Sequence, residues 1–192
     1  MREEALTLLS WCFAPVGREM WEEATQPATW SDLLTFLSDE ISSDAHKDAL
    51  ARLAIPPTYE EKARFAARHF TGGLPESALP IESLYVPASV CGAADQEYLR
   101  EPALYLRDLM ASLGLEVPSD FASCPDHLSI ELEMAAFLYA ENPAGARDFL
   151  AHRFAWLPAY AARLKSINAD ASFYVAAIEV LISVIDAWRE ER

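Results

Sequence analysis

Apolar residues recur along this chain at spacings of three and four, the repeat of an amphipathic helix. The breaks fall at prolines and glycine pairs rather than at the Asn-Gly or Asp-Gly turns of hairpins. Leu6, Leu9 and Phe13 make the stripe of a first helix. Leu33, Leu34 and Leu37 do the same after Ser31-Asp32, and Ala49, Leu50 and Leu53 mark a helix that ends before Pro56-Pro57. Thr58 with Glu61 three residues on is a capping-box pattern, opening a helix that turns Phe65 and Phe70 inward and stops at Gly72-Gly73. From Gly72 to Ala94, prolines and glycines predict the longest irregular connection, the first place to look for a binding loop. A helix carrying Tyr98, Leu99, Leu106, Leu109 and Leu113 follows, started or kinked at Pro102, with Gly114 suited to the left-handed position just past its end.

The stretch SCPDHLSIELEMAAFLYAENP, residues 123–143, runs from a helix start through an apolar stripe of Leu128, Leu132, Ala135 and Leu138 to a stop at Asn142-Pro143. Beyond it the pattern predicts two helices broken at Leu157-Pro158 and a long last helix from Ala171 to Glu190. The fold class is therefore all-α, a helical bundle of about nine to eleven short helices. At 192 residues, residues 1–192 suit one domain with a real core.

Charge and composition narrow the function. A net charge of −15 argues against nucleic acid, whose phosphates require clustered Lys and Arg, and favours a basic peptide. The apolar runs are interrupted by Glu179 and Asp186 and are too short to span a bilayer. The acidic N-terminus is wrong for a secretory signal, so a cytoplasmic protein is expected. Cys12, Cys91 and Cys124 are odd in number and widely spaced, which suits neither a disulfide framework nor a CxxC site.

Asp126 and His127 raise the main chemical question. Ser123 and Asp126 fit the S-x-x-D capping box, which accounts for Asp126 alone. His127 sits at the positive end of the helix dipole, where a neutral imidazole is expected, and both residues are placed at the rim of the core, where a ligand-facing pair fits. No HExxH or E-x-x-H, G-x-S-x-G or phosphate loop occurs, so no metal site and no catalytic residue is assigned and the chain is not expected to be an enzyme.

The segment PDHLSIELEMAAFLY (125–139) resembles the signature of the TorD/DmsD/NarJ family of redox-enzyme maturation chaperones. LPIESLYV (79–86) resembles that family's Pro-x-Glu-Ser-x-Tyr segment, and FLAHRFAWLPAYAARL (149–164), with one residue fewer between Phe149 and His152, is similar to its Phe-x-x-x-His-x-x-x-Trp-x-x-x-Phe helix, with Tyr160 in the final aromatic place. Where members often carry Glu-Pro-x-Asp-His, this chain has Ser123-Cys124-Pro125 ahead of the pair. The resemblance implies a cytoplasmic chaperone that binds a twin-arginine signal peptide, the apo form of a molybdenum or tungsten oxidoreductase, or both. It would assist cofactor insertion and prevent premature export. It implies no resident cofactor, with GTP a candidate ligand for relatives, and either a monomer or a dimer that swaps segments about the Pro118 connection.

In that framework Asp126 and Glu82 are expected to face the leader's arginines, with Ser83 beside Glu82 and His127 as a hydrogen-bonding or pH-sensitive neighbour whose charge can change near neutrality. Leu84, Tyr85 and Trp156 are expected against its apolar part, and His152 nearby. Blander roles stand beside these: Trp156 as a core anchor, His152 as an interior histidine, Glu82 as the cap of a short turn. The alternatives for function are a NarJ-like assembly factor for a non-exported or mature enzyme body, an enzyme such as a small hydrolase or a nucleotide-using helical protein, and a scaffold.

Overall fold

The computed structural model describes residues 1–41, 47–86, 101–167 and 169–190, the last of these by its backbone alone. The expectations placed on Pro87, Cys91, Tyr98 and Leu99 lie outside these residues. Ten α-helices carry the described chain, as the periodicity predicts: α1 Arg2–Phe13, α2 Arg18–Ala24, α3 Pro27–Glu40, α4 Lys47–Leu53, α5 Tyr59–His69, α6 Glu101–Ser112, α7 Leu128–Glu141, α8 Pro143–Arg153, α9 Leu157–Ser166 and α10 Ser172–Glu190. Two short 3-10 turns, Glu82–Leu84 and Ser119–Phe121, punctuate the connections. The helix α2 has no counterpart among the predicted stripes, because seven residues give too few repeats to show a period.

Local signals act where they stand. Thr58 Oγ1 accepts from the Glu61 N–H while Glu61 Oε2 accepts from the Thr58 N–H, the reciprocal box expected there. That helix ends at His69, ahead of the Gly72-Gly73 pair. Gly114 adopts φ +73. Its N–H donates to Ala111 O and the Leu115 N–H to Met110 O, the bonding of a left-handed cap that closes α6. Pro158 occupies the first turn of α9, where a missing N–H costs nothing.

Two helices organise the core. α7 is buried on almost every face, from Leu128 and Leu132 to Met134, Ala135 and Tyr139, and packs on α1 and α8. α10 packs against α4, α9, α8, α3 and α1, and buries Ile178, Leu181, Val184 and Trp188. Fully burying each such side chain contributes about 1.5–3 kcal/mol. Tryptophans fasten the smaller helices: Trp21 Nε1 donates to Pro57 O at 2.9 Å and Trp30 Nε1 to Leu53 O at 3.0 Å, and both rings pack on Phe173. Among the described residues no helix is long and apolar enough to cross a membrane.

Candidate functional site

The segment 79–86 is laid across the entry to α7 by two backbone bonds, the Leu128 N–H to Pro80 O at 2.8 Å and the Glu82 N–H to Asp126 O at 3.0 Å. They form an isolated antiparallel bridge between Ile81 and His127. Asp126 Oδ2 then accepts from the Ser83 backbone N–H at 2.8 Å and from the Ser83 hydroxyl. The expectation that Ser123 and Asp126 cap the helix is corrected here: α7 begins at Leu128, and Asp126 reaches across to Ser83. The rim placement is corrected as well, because Asp126 is 0% exposed and His127 is buried. A carboxylate that collects two donors from a neighbouring loop is drawn inward by them.

His127 is itself the cap of α7. Its Nδ1 accepts from the Ser129 N–H at 3.2 Å and lies 2.7 Å from Ser129 Oγ, while the Phe121 ring packs on the imidazole with centroids 4.8 Å apart. Burial lowers its pKa to about 3, so the ring is neutral at pH 7, as its place on the helix dipole suggests, and the expectation of a charge change near neutrality is corrected. For Asp126 burial works upward and is opposed by the Ser83 bonds; Oδ1 is buried without a hydrogen-bond partner.

One turn into α7, Glu131 is 1% exposed and accepts from Trp156 Nε1 at 3.2 Å. Burial first, and then the charge of Glu82, push its pKa well up, which favours the protonated form, and Glu131 is hydrogen-bonded to the Glu82 carboxylate. Burial also raises Glu82, against the pull of Glu131 and of Arg153, whose Nη2 lies 2.5 Å from Glu82 Oε2. Arg153 Nη1 is 3.6 Å from the exposed Glu101, and its guanidinium lies over the Tyr105 ring at 4.7 Å. Tyr85 donates to Leu79 O at 2.9 Å and stacks on Trp156, centroids 5.5 Å apart and planes 16° from parallel.

The fold thus gathers Glu82, Ser83, Tyr85, Asp126, His127 and Trp156 into one cluster, with Leu84 half-buried on the same 3-10 turn. The bland role of Trp156 as a core anchor describes its burial, and Glu82 does open a short turn. His152 is exposed, not interior: its Nδ1 lies 2.7 Å from Asp148 O within α8. Two central members, Glu131 and Arg153, were not marked as site residues by sequence. A glutamate inside the apolar stripe of α7 was the available signal for the first; Arg153 had none, since its role depends on where α8 ends. Chemically the cluster is a network in which Arg153 pairs with Glu82, Glu131 bonds to Glu82 and Trp156, and Asp126 accepts twice from Ser83, and it clamps segment 79–86 to α7 and α8. Among the described residues no group of three or more His, Cys, Asp or Glu is placed to hold a metal ion.

The family model described as nitrate reductase delta subunit matches residues 29–169, and the chain belongs to that family. It is 24% identical over 196 residues to the chaperone protein TorD of Histophilus somni, with 96% of each chain covered. It is 28% identical to the chaperone protein TorD of a Psychrobacter species, covering 85% of this chain and 76% of the relative. To that of Vibrio cholerae it is 32% identical over 116 residues, about half of each chain. The family resemblance read from the residues is thereby shown, and the family is one of chaperones rather than enzymes.

Proposed function

We propose that this protein is a cytoplasmic redox-enzyme maturation chaperone that binds the twin-arginine leader of a molybdenum or tungsten oxidoreductase, its apo form, or both, until the cofactor is in place. The observation that carries this reading is the near end-to-end similarity to a chaperone protein TorD, over 96% of both chains. The charge of −15 supports it, because a leader that joins arginines to an apolar stretch is complementary to an acidic protein.

Since Glu82 and Asp126 are engaged by Arg153 and Ser83, the acid a leader arginine meets at this end is the exposed Glu101 beside Tyr105. Leu84, Tyr85 and Val86 supply partly open apolar surface next to it. The buried carboxylates then act by holding that surface in place. A second reading, an assembly factor for a mature enzyme body, is favoured by the description of the matching family as a nitrate reductase subunit.

Calorimetric titration with the twin-arginine leaders of the source organism, each beside a copy with both arginines changed to lysine, tests the proposal at low and high salt. Binding to one leader that weakens with salt and with the lysine exchange is expected. Absence of binding to every leader, with binding to an apo-oxidoreductase body, would move the function to the second reading.

A further inference from the structure

α1 is apolar over a wider arc than its core contact requires. Leu6, Leu9 and Phe13 point inward, yet Leu8 and Trp11 lie on another face of the helix together with Glu4 and Thr7, at the i, i+3, i+4, i+7 spacing of one stripe. On α3, Thr29, Asp32, Leu33 and Phe36 repeat the same spacing. The ion pair of Arg2 with Glu40, at 3.0 Å, sets the start of α1 beside the end of α3, and the two stripes face one groove of about 510 Å³.

The floor of this groove is Leu8, Trp11, Leu33 and Phe36, and its acids are Glu3, Glu4 and Asp32. Among the described residues no Lys, Arg or His lines it, and Asp32 is exposed. Among the described residues the cation there is the amino group of Met1, 3.5 Å from both Glu3 and Glu4 and itself largely exposed, where such pairs contribute little. Trp11 stands apart from the other tryptophans. The indole N–H groups of Trp21, Trp30, Trp156 and Trp188 all donate to an oxygen, whereas that of Trp11 has no partner among the described residues and its ring is only half-buried. A half-open tryptophan with a free N–H in an acid-rimmed apolar groove is the composition of a binding anchor.

We propose that the α1–α3 groove docks a short apolar helix flanked by Lys or Arg, contributed by the client protein. The apolar floor suits one face of a helix laid in a groove, and the acids select the sign of its flank. A second copy of this chain is a poor occupant, because a two-fold contact through this face sets Glu4 and Asp32 of one copy against the same acids of the other. That the segment comes from a client rests on the chaperone reading; the chemistry of the groove does not.

The test is tryptophan fluorescence and calorimetry with a synthetic Leu/Ala-rich helical peptide carrying arginines at one end, beside a copy carrying glutamates. The arginine peptide is expected to bind and to change the fluorescence in the native protein but not in Trp11→Phe. Glu4→Lys with Asp32→Lys, both surface exchanges, should weaken it by about tenfold or more while circular dichroism stays unchanged. Equal affinity for both peptides, unchanged affinity in the double variant, or a dimer that dissolves on Trp11→Ala would each overturn the proposal. Binding of the probe with no response to any leader or client body would overturn the client assignment and keep the groove. Leader binding that is untouched by the double variant, with a silent probe, would do the reverse.

Discussion

Arg153 Nη2 sits 2.5 Å from Glu82 Oε2 with the two side chains only 12% and 6% exposed, so the chain supplies its own guanidinium to the acids at the entry of α7. Removing one member of such a pair leaves the other charged and buried. Arg153→Ala is expected to cost about 3–5 kcal/mol in urea unfolding, and Glu82→Gln to be destabilising in the same direction. Glu131→Gln is the contrasting case. Burial beside Glu82 raises the Glu131 pKa and so favours its protonated form, and an amide can still donate to Glu82 and accept from Trp156, so the stability of this variant at pH 7 should stay within about 1 kcal/mol of the native protein. A large loss in Glu131→Gln would mean that Glu131 is ionised.

The pH dependence of stability carries the mark of His127. Its pKa is about 3 in the folded chain against 6.5 when exposed, so between these values the unfolded chain binds the extra proton and stability falls as pH is lowered. From pH 7 to pH 5 this amounts to about 2 kcal/mol. His127→Asn, which keeps a side-chain acceptor for the Ser129 N–H, should lack that part of the slope. Glu131 acts with the opposite sign: its raised pKa means stability is lost as pH rises above 4.5, equally in both proteins, so it cancels in the comparison. Parallel curves for the two proteins would show that His127 titrates normally.

Asp126 holds segment 79–86 through Ser83. Asp126→Ala leaves the Ser83 N–H and hydroxyl without their acceptor, and hydrogen exchange at Ser83 should quicken by roughly thirtyfold, the equivalent of about 2 kcal/mol. Any loss of leader affinity in this variant should track that loosening, and Ser83→Ala should reproduce part of it. Weakened leader binding with unchanged exchange would instead place Asp126 in direct contact with the ligand.

Helical class, most helix positions and the Thr58 and Gly114 caps were legible in the sequence because each depends on residues a few places apart: a stripe, a reciprocal hydrogen bond, a left-handed φ. The family could be read from three short segments for the same reason. Tertiary structure decided the rest. Asp126 looks like a helix cap in one dimension, and only the arrival of Ser83 from 43 residues away turns it inward. Glu131 looks like a flaw in an apolar stripe until Trp156 and Glu82 close around it, and Arg153 acquires its role from the point at which α8 stops. Local hydrogen bonding and hydrophobic periodicity are written along the chain, whereas the protonation and pairing of buried charges depend on desolvation, which only the packed fold imposes.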